Sequence, residues 1–443
     1  MAVLFEKRLA VDDISHSRRT GRCPTLTLPS SQRDGMLMRI SLVGGAVGAV
    51  ECGLIADLAE RYGNGMIELT NRGNLQLRGI GEENVTAVVD ELVRLGFGTD
   101  GARTVTISPF AGSVEQQARS EIVAALDLAG YAGLSNKFVV HIDDAAGRTA
   151  TQRGDIVVRL RRTGTAMVWL DHLGEAGLPA DDLAGLVTAV AARCARHGRQ
   201  SRLRDVLAVS TPGQFVAELA SALGHSLRFT QLLESDVSSS DVASSDAAPA
   251  DRSLSVVAVI ADPPSAHLEP IGVLAMRRTD TVPFVAITSV PLGRLDPMTL
   301  RRVGALCADH GIAEMRLTPW KAIAFACATE AQATDVLVGA AQLGLAIDRS
   351  HPSLGVVACI GATGCWQTEL DTLSTARAII AERSTHGLQS TVAATVAAVS
   401  MATNGTVHVS GCDKSCAFSG TAAVTFVGRN DASGFERIDA GDR

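Results

Sequence analysis

Aromatic residues make up only 4% of this 443-residue chain, although 46% of it is hydrophobic. Small aliphatic side chains supply the apolar character, and no uninterrupted apolar run is long enough to span a bilayer. The segment Met1–Arg8 reaches charge at Glu6 and never develops the apolar core of a secretion signal. A cytoplasmic protein with no membrane partner is therefore expected. The net charge is −7 and no basic stripe with interleaved aromatics occurs, which argues against a nucleic-acid partner. A disulfide framework is missing too, because the nine cysteines are odd in number and the compartment is expected to be reducing. Cys23, Cys52, Cys194, Cys307 and Cys327 stand singly, and the last three lie in apolar or helical surroundings that suit inert buried thiols.

What is present is length enough for several cores, divided by a linker and marked by a repeat. Residues 234–253 are small, polar and aperiodic, as a linker is. On either side, Ile67–Leu77 aligns with Met315–Phe325. The offset that carries Thr70 onto Thr318 also carries Gly45 onto Gly293. The first copy reads as a strand over 36–42, a helix over 51–62, strands over 66–69 and 75–78, and a helix over 83–95. The second reads as strands over 284–289, 315–317 and 322–327, with helices over 296–310 and 331–343. Each copy is too small for a comfortable core, so the two are expected to pair their sheets. The expected domains are a first half-domain with an arm (1–82), an α/β domain (83–233), the linker (234–253), a second half-domain (254–347) and a second α/β domain (348–443).

The other four cysteines fall in two loops, Cys359-x5-Cys365 and Cys412-x3-Cys416, separated by an expected helix and strand. Four thiolates converging from two loops are ligand geometry for a metal or cluster. Structural zinc is the rival, but the wider pair exceeds the usual spacing of a zinc knuckle. Four cysteine thiolates are the standard set for [4Fe–4S], and Gly361, Ala362, Gly364 and Ser415 leave room for backbone N–H groups near the sulfides. Inert core thiols are the third reading.

The double repeat, the stretch Leu69–Gly79 and the two cysteine loops together resemble the sulfite and nitrite reductase family. The resemblance implies an α+β, tandem-duplicated fold, with two paired ferredoxin-like half-domains and two α/β domains around a tetrapyrrole and a [4Fe–4S] cluster. It makes Cys359, Cys365, Cys412 and Cys416 the cluster ligands, Cys416 bridging to the iron of a sirohaem where one is bound. Arg72, Asn74, Gln76 and Arg78 alternate in sequence and on a strand would share one face. With Arg39, Arg103 and Lys137 they form the implied substrate-binding set, since arginine takes carboxylates bidentately. Taken alone, Arg72 and Arg78 also read as edge-strand charges, Arg103 as a loop or cap charge and Lys137 as a solvated strand end. His141 and His408 read as satisfied histidines rather than iron ligands, and Trp320 as packing.

Val139 and Ser41 stand where the reductases carry a lysine and an arginine, and the loop Gly411–Cys416 departs from theirs. These losses, with Arg22–Ile40 and the surroundings of Lys137, resemble the precorrin-3B synthase branch. That resemblance implies a monooxygenase that hydroxylates precorrin-3A at C20 with lactone formation in cobalamin biosynthesis. Its expected partners are the tetrapyrrole substrate, dioxygen and an external electron donor, and a mononuclear non-haem iron is implied beside the cluster. No 2-His-1-carboxylate set is legible for that iron; His141, Asp143 and Asp144 are weak candidates that more simply make a turn. Two other readings are a sirohaem-dependent nitrite or sulfite reductase and a non-catalytic electron-transfer or tetrapyrrole-binding protein.

Overall fold

A computed structural model describes residues 24–97, 105–224, 270–386 and 406–439, apart from short stretches at 131–133, 136, 150–153, 162, 172, 199–200, 277–281, 419–421 and 430–433. Cys23, Arg103 and the linker 234–253 lie outside the described residues. Two compact units form, one within 1–100 and 268–443, the other within 101–267.

The first half-domain contains β1 (Ser30–Gln32), β2 (Gly35–Ile40), β3 (Ala46–Gly48), α1 (Ala49–Tyr62), β4 (Ile67–Leu69), β5 (Leu75–Ile80) and α2 (Val85–Arg94). Alternation in β5 buries Leu75 and Leu77 on one side, while Val85, Val88 and Leu92 of α2 close over the same core. That helix therefore belongs to the half-domain core rather than to the α/β segment expected from residue 83.

In the second unit, β6 (Val105–Ile107), β7 (Val140–Asp143), β8 (Ile156–Leu160), β9 (Thr165–Leu170) and β10 (Gly174–Pro179) form one sheet in the order β10-β9-β8-β7-β6. The first three strands are parallel and the rest antiparallel. Helices α3 (Ser113–Ala129), α4 (Leu183–His197), α5 (Leu203–Leu207) and α6 (Pro212–Leu223) complete this unit, and their apolar residues share its core.

The second half-domain follows with β11 (Gly272–Ala275), β12 (Phe284–Ser289), β13 (Arg294–Leu295), α7 (Pro297–Asp309), β14 (Glu314–Leu317), β15 (Ala322–Cys327) and α8 (Glu330–Gln342). Every longer element expected in the two copies is present, with ends displaced by a few residues. Four short strands, β1, β3, β11 and β13, were not legible, and β3 and β13 determine how the copies join. Strand β13 completes the first sheet, in the order β1-β2-β5-β4-β13, and β3 completes the second, in the order β11-β12-β15-β14-β3. Each copy thus donates a strand to the other, and both halves contribute to one continuous core. Helices α1 and α7 cross where Gly304 faces Cys52; a Cβ on Gly304 would stand 2.9 Å from that of Cys52.

The chain then adds β16 (Val356–Ala358), α9 (Thr372–His386), β17 (Val407–Ser410), β18 (Val424–Gly428) and β19 (Phe435–Asp439), with the sheet order β16-β17-β18-β19. This sheet repeats the plan of the second unit, three parallel strands and then an antiparallel one. Buried His141 and His408 occupy the middle parallel strand in each. Among the described residues, no helix is long and apolar enough to cross a membrane.

Gly45 tests the junction between the copies. Its φ is +71°, and an added Cβ would stand 2.8 Å from the Leu317 carbonyl oxygen of the other copy. The expected result for Gly45→Ala is a loss of about 1–3 kcal/mol, read as a lower urea midpoint. An unchanged midpoint would show that the junction yields.

Candidate functional site

Parallel pairing places the two cysteine loops side by side. Ala358 at the end of β16 pairs with Val409 of β17, so the chain leaves adjacent strand ends into Cys359 and Cys412. Such carboxyl ends are where open sheets hold ligands. Gly361 permits the first loop's turn: its φ is +63°, and a Cβ there would come within 2.6 Å of the Leu370 carbonyl oxygen. Ser415, at φ 50°, bends the second loop without a glycine.

Backbone N–H groups converge on the sulfurs. Gly411 N donates to Cys359 Sγ at 3.2 Å, and Gln367 N to Cys365 Sγ at 3.4 Å. The Cys416 thiol is pushed above its ordinary value, first by loss of solvent around the sulfur and then by Cys412, Cys359 and Cys365, while Lys414 opposes. Cys416 is exposed as a residue, so the influence of the other thiols is the more telling of these causes. All four sulfurs share one electrostatic neighbourhood, in which ionised thiolates would repel one another until a cation joined them. Among the described residues, no three His, Cys, Asp or Glu side chains are gathered to hold a single metal ion. The donor set and the N–H groups aimed at sulfur fit a polynuclear cluster.

The other cysteines separate cleanly. Cys52, Cys194, Cys307 and Cys327 are buried. Burial pushes the thiols of Cys52 and Cys194 up to about 12, and that of Cys307 to about 11. They are inert packing thiols at neutral pH.

One face of the first sheet carries a polar row. Arg39, Gln76, Glu68 and Arg294 are successive cross-strand neighbours on β2, β5, β4 and β13. Arg39 donates to Gln76 Oε1 from Nε at 3.0 Å and from Nη2 at 2.7 Å, and Gln76 Nε2 donates to Glu68 Oε2 at 3.3 Å. Arg294 Nε donates to Glu68 Oε1 at 3.0 Å, and Arg78 Nη1 to Glu68 Oε2 at 3.3 Å. Burial pushes the Glu68 carboxyl up, but Arg294, Arg78 and Lys321 outweigh it and hold the group below its ordinary value.

The seven residues expected to bind substrate therefore fall into different situations. Arg78, with only 4% of its side chain accessible, is committed to Asp34, to Glu68 and, through Nη2 at 3.2 Å, to the Gly364 carbonyl. Its bonds to Asp34 measure 2.9 and 3.0 Å. Its guanidinium thus has partners within the protein. Asn74 is also structural: it is buried, and its Oδ1 accepts from Leu42 N at 2.9 Å. Only Gln76 and Arg78 of the alternating four lie in a strand; Arg72 and Asn74 belong to the preceding turn, where Arg72 N meets Thr70 Oγ1 at 3.3 Å. Arg72 and Arg39 are half-buried, and Lys137 is exposed in the second unit ahead of β7.

Asp34, Glu68 and Arg294 escaped the sequence reading. A weak signal existed for Arg294, which follows the repeat-marking Gly293. In the matching turns of the two copies, Gly73 has φ +63° and Lys321 has φ 61°. Lys321 keeps its side chain in a conformation that favours glycine and places Nζ 3.5 Å from the Ala417 carbonyl, beside Cys416.

His141, Asp143 and Asp144 are likewise engaged with one another and their neighbours. His141 meets Thr106 Oγ1 at 3.0 Å and Thr149 Oγ1 at 2.9 Å, and Thr149 Oγ1 donates to Asp143 Oδ1. Arg159 Nη2 completes Asp143 at 2.8 Å, and Arg148 Nη1 pairs with Asp144 at 2.8 Å. This is a filled structural network.

The two repeats match the nitrite/sulfite reductase ferredoxin-like half domain at residues 29–95 and 280–341. The chain has the sulfite/nitrite reductase-like fold with a duplicated half-domain, and the resemblance read from its motifs holds. It is 26% identical to a precorrin-3B synthase from Sinorhizobium sp over 430 residues, 93% of this chain and 81% of that protein. A ferredoxin–nitrite reductase from Leptolyngbya laminosa is 32% identical over 109 residues, covering 23% of this chain and 21% of that one. The solved Mycobacterium tuberculosis NirA protein superposes with a TM-score of 0.66 at 19% identity, covering 91% of this chain and 73% of that one. These relatives are oxidoreductase-type enzymes.

Burial lowers the His141 pKa to about 4, against an opposing pull from Asp143. Its contribution to stability is complete above about pH 6.5 and is lost as pH falls toward 4, because the unfolded chain then binds a proton that the folded chain refuses. The full difference is about 3 kcal/mol. Denaturant melts from pH 7 to pH 4.5 should fall less steeply for His141→Gln than for the parent; parallel curves would remove His141 as the titrating group.

Proposed function

We propose that this chain is a precorrin-3B synthase-type monooxygenase, hydroxylating precorrin-3A at C20 with lactone formation in cobalamin biosynthesis. The observation that carries this reading is the extent of likeness. Similarity to a precorrin-3B synthase runs through 93% of the chain, whereas similarity to a ferredoxin–nitrite reductase is confined to 23%. In the proposed reaction, one atom of dioxygen enters the product and the other leaves as water. Two electrons and two protons come by way of an external donor.

Cys359, Cys365, Cys412 and Cys416 would hold a [4Fe–4S] cluster, which when bound supplies single electrons. Arg39, Arg72 and Gln76 would meet carboxylates of the macrocycle. Arg78 and Asn74 leave that set, because burial and existing partners occupy them. No residue is assigned to a second iron. A reductase cavity built to retain sirohaem and a synthase cavity built to admit a related tetrapyrrole need the same carboxylate-binding chemistry. The difference is whether the macrocycle stays as cofactor or leaves as product.

The decisive experiment purifies the protein anaerobically, measures iron and acid-labile sulfide, extracts any tetrapyrrole, and adds precorrin-3A with labelled dioxygen and reductant. Label in a hydroxylated lactone supports the synthase. Tightly bound sirohaem with nitrite or sulfite turnover would replace it by the reductase reading, and substrate binding without oxygenated product by a carrier.

Two substitutions probe the residues. Cys412→Ser should abolish cluster assembly and turnover; retention of full iron, sulfide and activity would remove Cys412 from the ligand set. Arg72→Ala should weaken substrate binding by about 1.5–3 kcal/mol, the worth of a charge-assisted hydrogen bond. Titration calorimetry with precorrin-3A gives the value, and unchanged affinity would exclude Arg72.

A further inference from the structure

The carbonyl groups immediately before both cysteines of the first loop are held by arginines, one buried (Arg78) and one half-buried (Arg294). Arg294 Nη1 and Nη2 both reach the Ala358 carbonyl at 3.3 Å, so the Ala358–Cys359 peptide is held from its oxygen side. Arg78 Nη2 reaches the Gly364 carbonyl at 3.2 Å and holds the Gly364–Cys365 peptide in the same way. The opposite sides are held too, since Cys359 N donates to Val409 O at 3.1 Å and Cys365 N to Gly361 O at 2.8 Å. One carboxylate, Glu68, spans the arginines, with Oε1 on Arg294 and Oε2 on Arg78.

This contact is built into the fold. β16 is an edge strand, and Cys359 N faces β17, so the preceding carbonyl points away from the sheet toward no strand. Arg294 supplies the missing donor, and only because β13 is exchanged into the first sheet. The close fit at the other end is visible at Gly364, where an added Cβ would stand 2.4 Å from Arg78 Nη2. The row has no copy in the duplicated sheet. The cross-strand neighbours there are Ile287, Ala324, Arg316 and Ala46. A polar arch therefore occurs in one sheet of the pair, the one whose arginines reach the Cys359–Cys365 loop.

We propose that Arg78 and Arg294, braced by Glu68, are positioning residues that set the separation and direction of the Cys359 and Cys365 thiols before any cluster is bound. The proposal rests on the reading of these thiols as cluster ligands. With Asp34 included, the two arginines face two carboxylates, which hold both guanidinium forks in place.

The test follows backbone protection as well as cluster lifetime. Amide hydrogen exchange of metal-free protein, read by mass spectrometry over residues 355–367, is compared for the parent, Arg294→Ala, Arg294→Lys and Arg78→Lys. The loop should exchange about ten-fold faster in each variant, with residues 183–197 of the second unit unchanged as an internal reference. Reconstituted variants should also lose iron and sulfide in air about ten-fold faster than the parent.

The lysine variants keep the charge but lose the fork, so they carry the test if Arg294→Ala fails to fold. Parent-like exchange and cluster lifetime in folded lysine variants would overturn the proposal, because charge alone would then suffice. If the parent protein takes up no iron, the cluster reading fails, while loop exchange still decides whether the arginines hold it.

Discussion

Exchange of two short strands is the constraint on which the first unit depends. Without β13, the first sheet would end at β4; without β3, the second would end at β14. Each open edge would present unpaired backbone groups, and each half-domain would hold half a core. The exchange closes both edges and joins Ile55 and Leu58 of one copy with Leu300 and Val303 of the other in one apolar cluster. It also carries Arg294 across the junction to Glu68. Chain pairing and site geometry consequently have one origin.

That geometry brings a physical liability, because buried ions are costly to desolvate. Arg78 and Arg294 have 4% and 13% of their side chains accessible, and Glu68 has 12%. Such a group is retained only if its hydrogen bonds are nearly complete, as they are here. Arg78 reaches two carboxylates and a carbonyl, and Arg294 reaches one carboxylate and two carbonyls. Replacing the row by apolar residues would be a simpler way to stabilise a sheet, and the duplicated sheet comes close to that with Ile287, Ala324 and Ala46. The ionic version occurs where the Ala358 carbonyl has its donors from Arg294 and the Gly364 carbonyl takes a second donor, from Arg78, beside Arg33 N.

The longer elements of both half-domains were legible because helical and strand periods persist over many residues and recur at one offset. The exchanged strands were not, since two or three residues carry no period. The likeness between the two three-parallel-strand sheets was hidden for another reason: insertions change the offset, so His141 and His408 match in position within their sheets but not at the repeat spacing of Thr70 and Thr318. Side-chain roles were harder still. Alternation put Gln76 and Arg78 on one face correctly, but nothing in sequence distinguishes an arginine facing a ligand from one facing Asp34 and a backbone carbonyl. The partners that decide the matter lie 44 and 286 positions away.

The two mixed sheets put the same strand ends to different use. After β16 and β17 come cysteines with N–H groups aimed at sulfur. After β6 and β7 come Ser108 and Asp144, joined at 3.4 Å, with Arg148 closing on Asp144. Among the described residues there, hydroxyl, carboxylate and guanidinium satisfy one another. In the cysteine-bearing sheet the sulfurs influence one another, with Lys414 acting on Cys416, while Arg78 and Arg294 are spent on Glu68, Asp34 and carbonyl groups. A filled ionic knot can be stable with nothing bound, whereas four neighbouring thiols are stabilised as thiolates only by something positive among them. Two sheets of one strand plan thus differ at the same end: among the described residues, one closes on its own hydroxyl, carboxylate and guanidinium, and the other gathers four cysteine thiols.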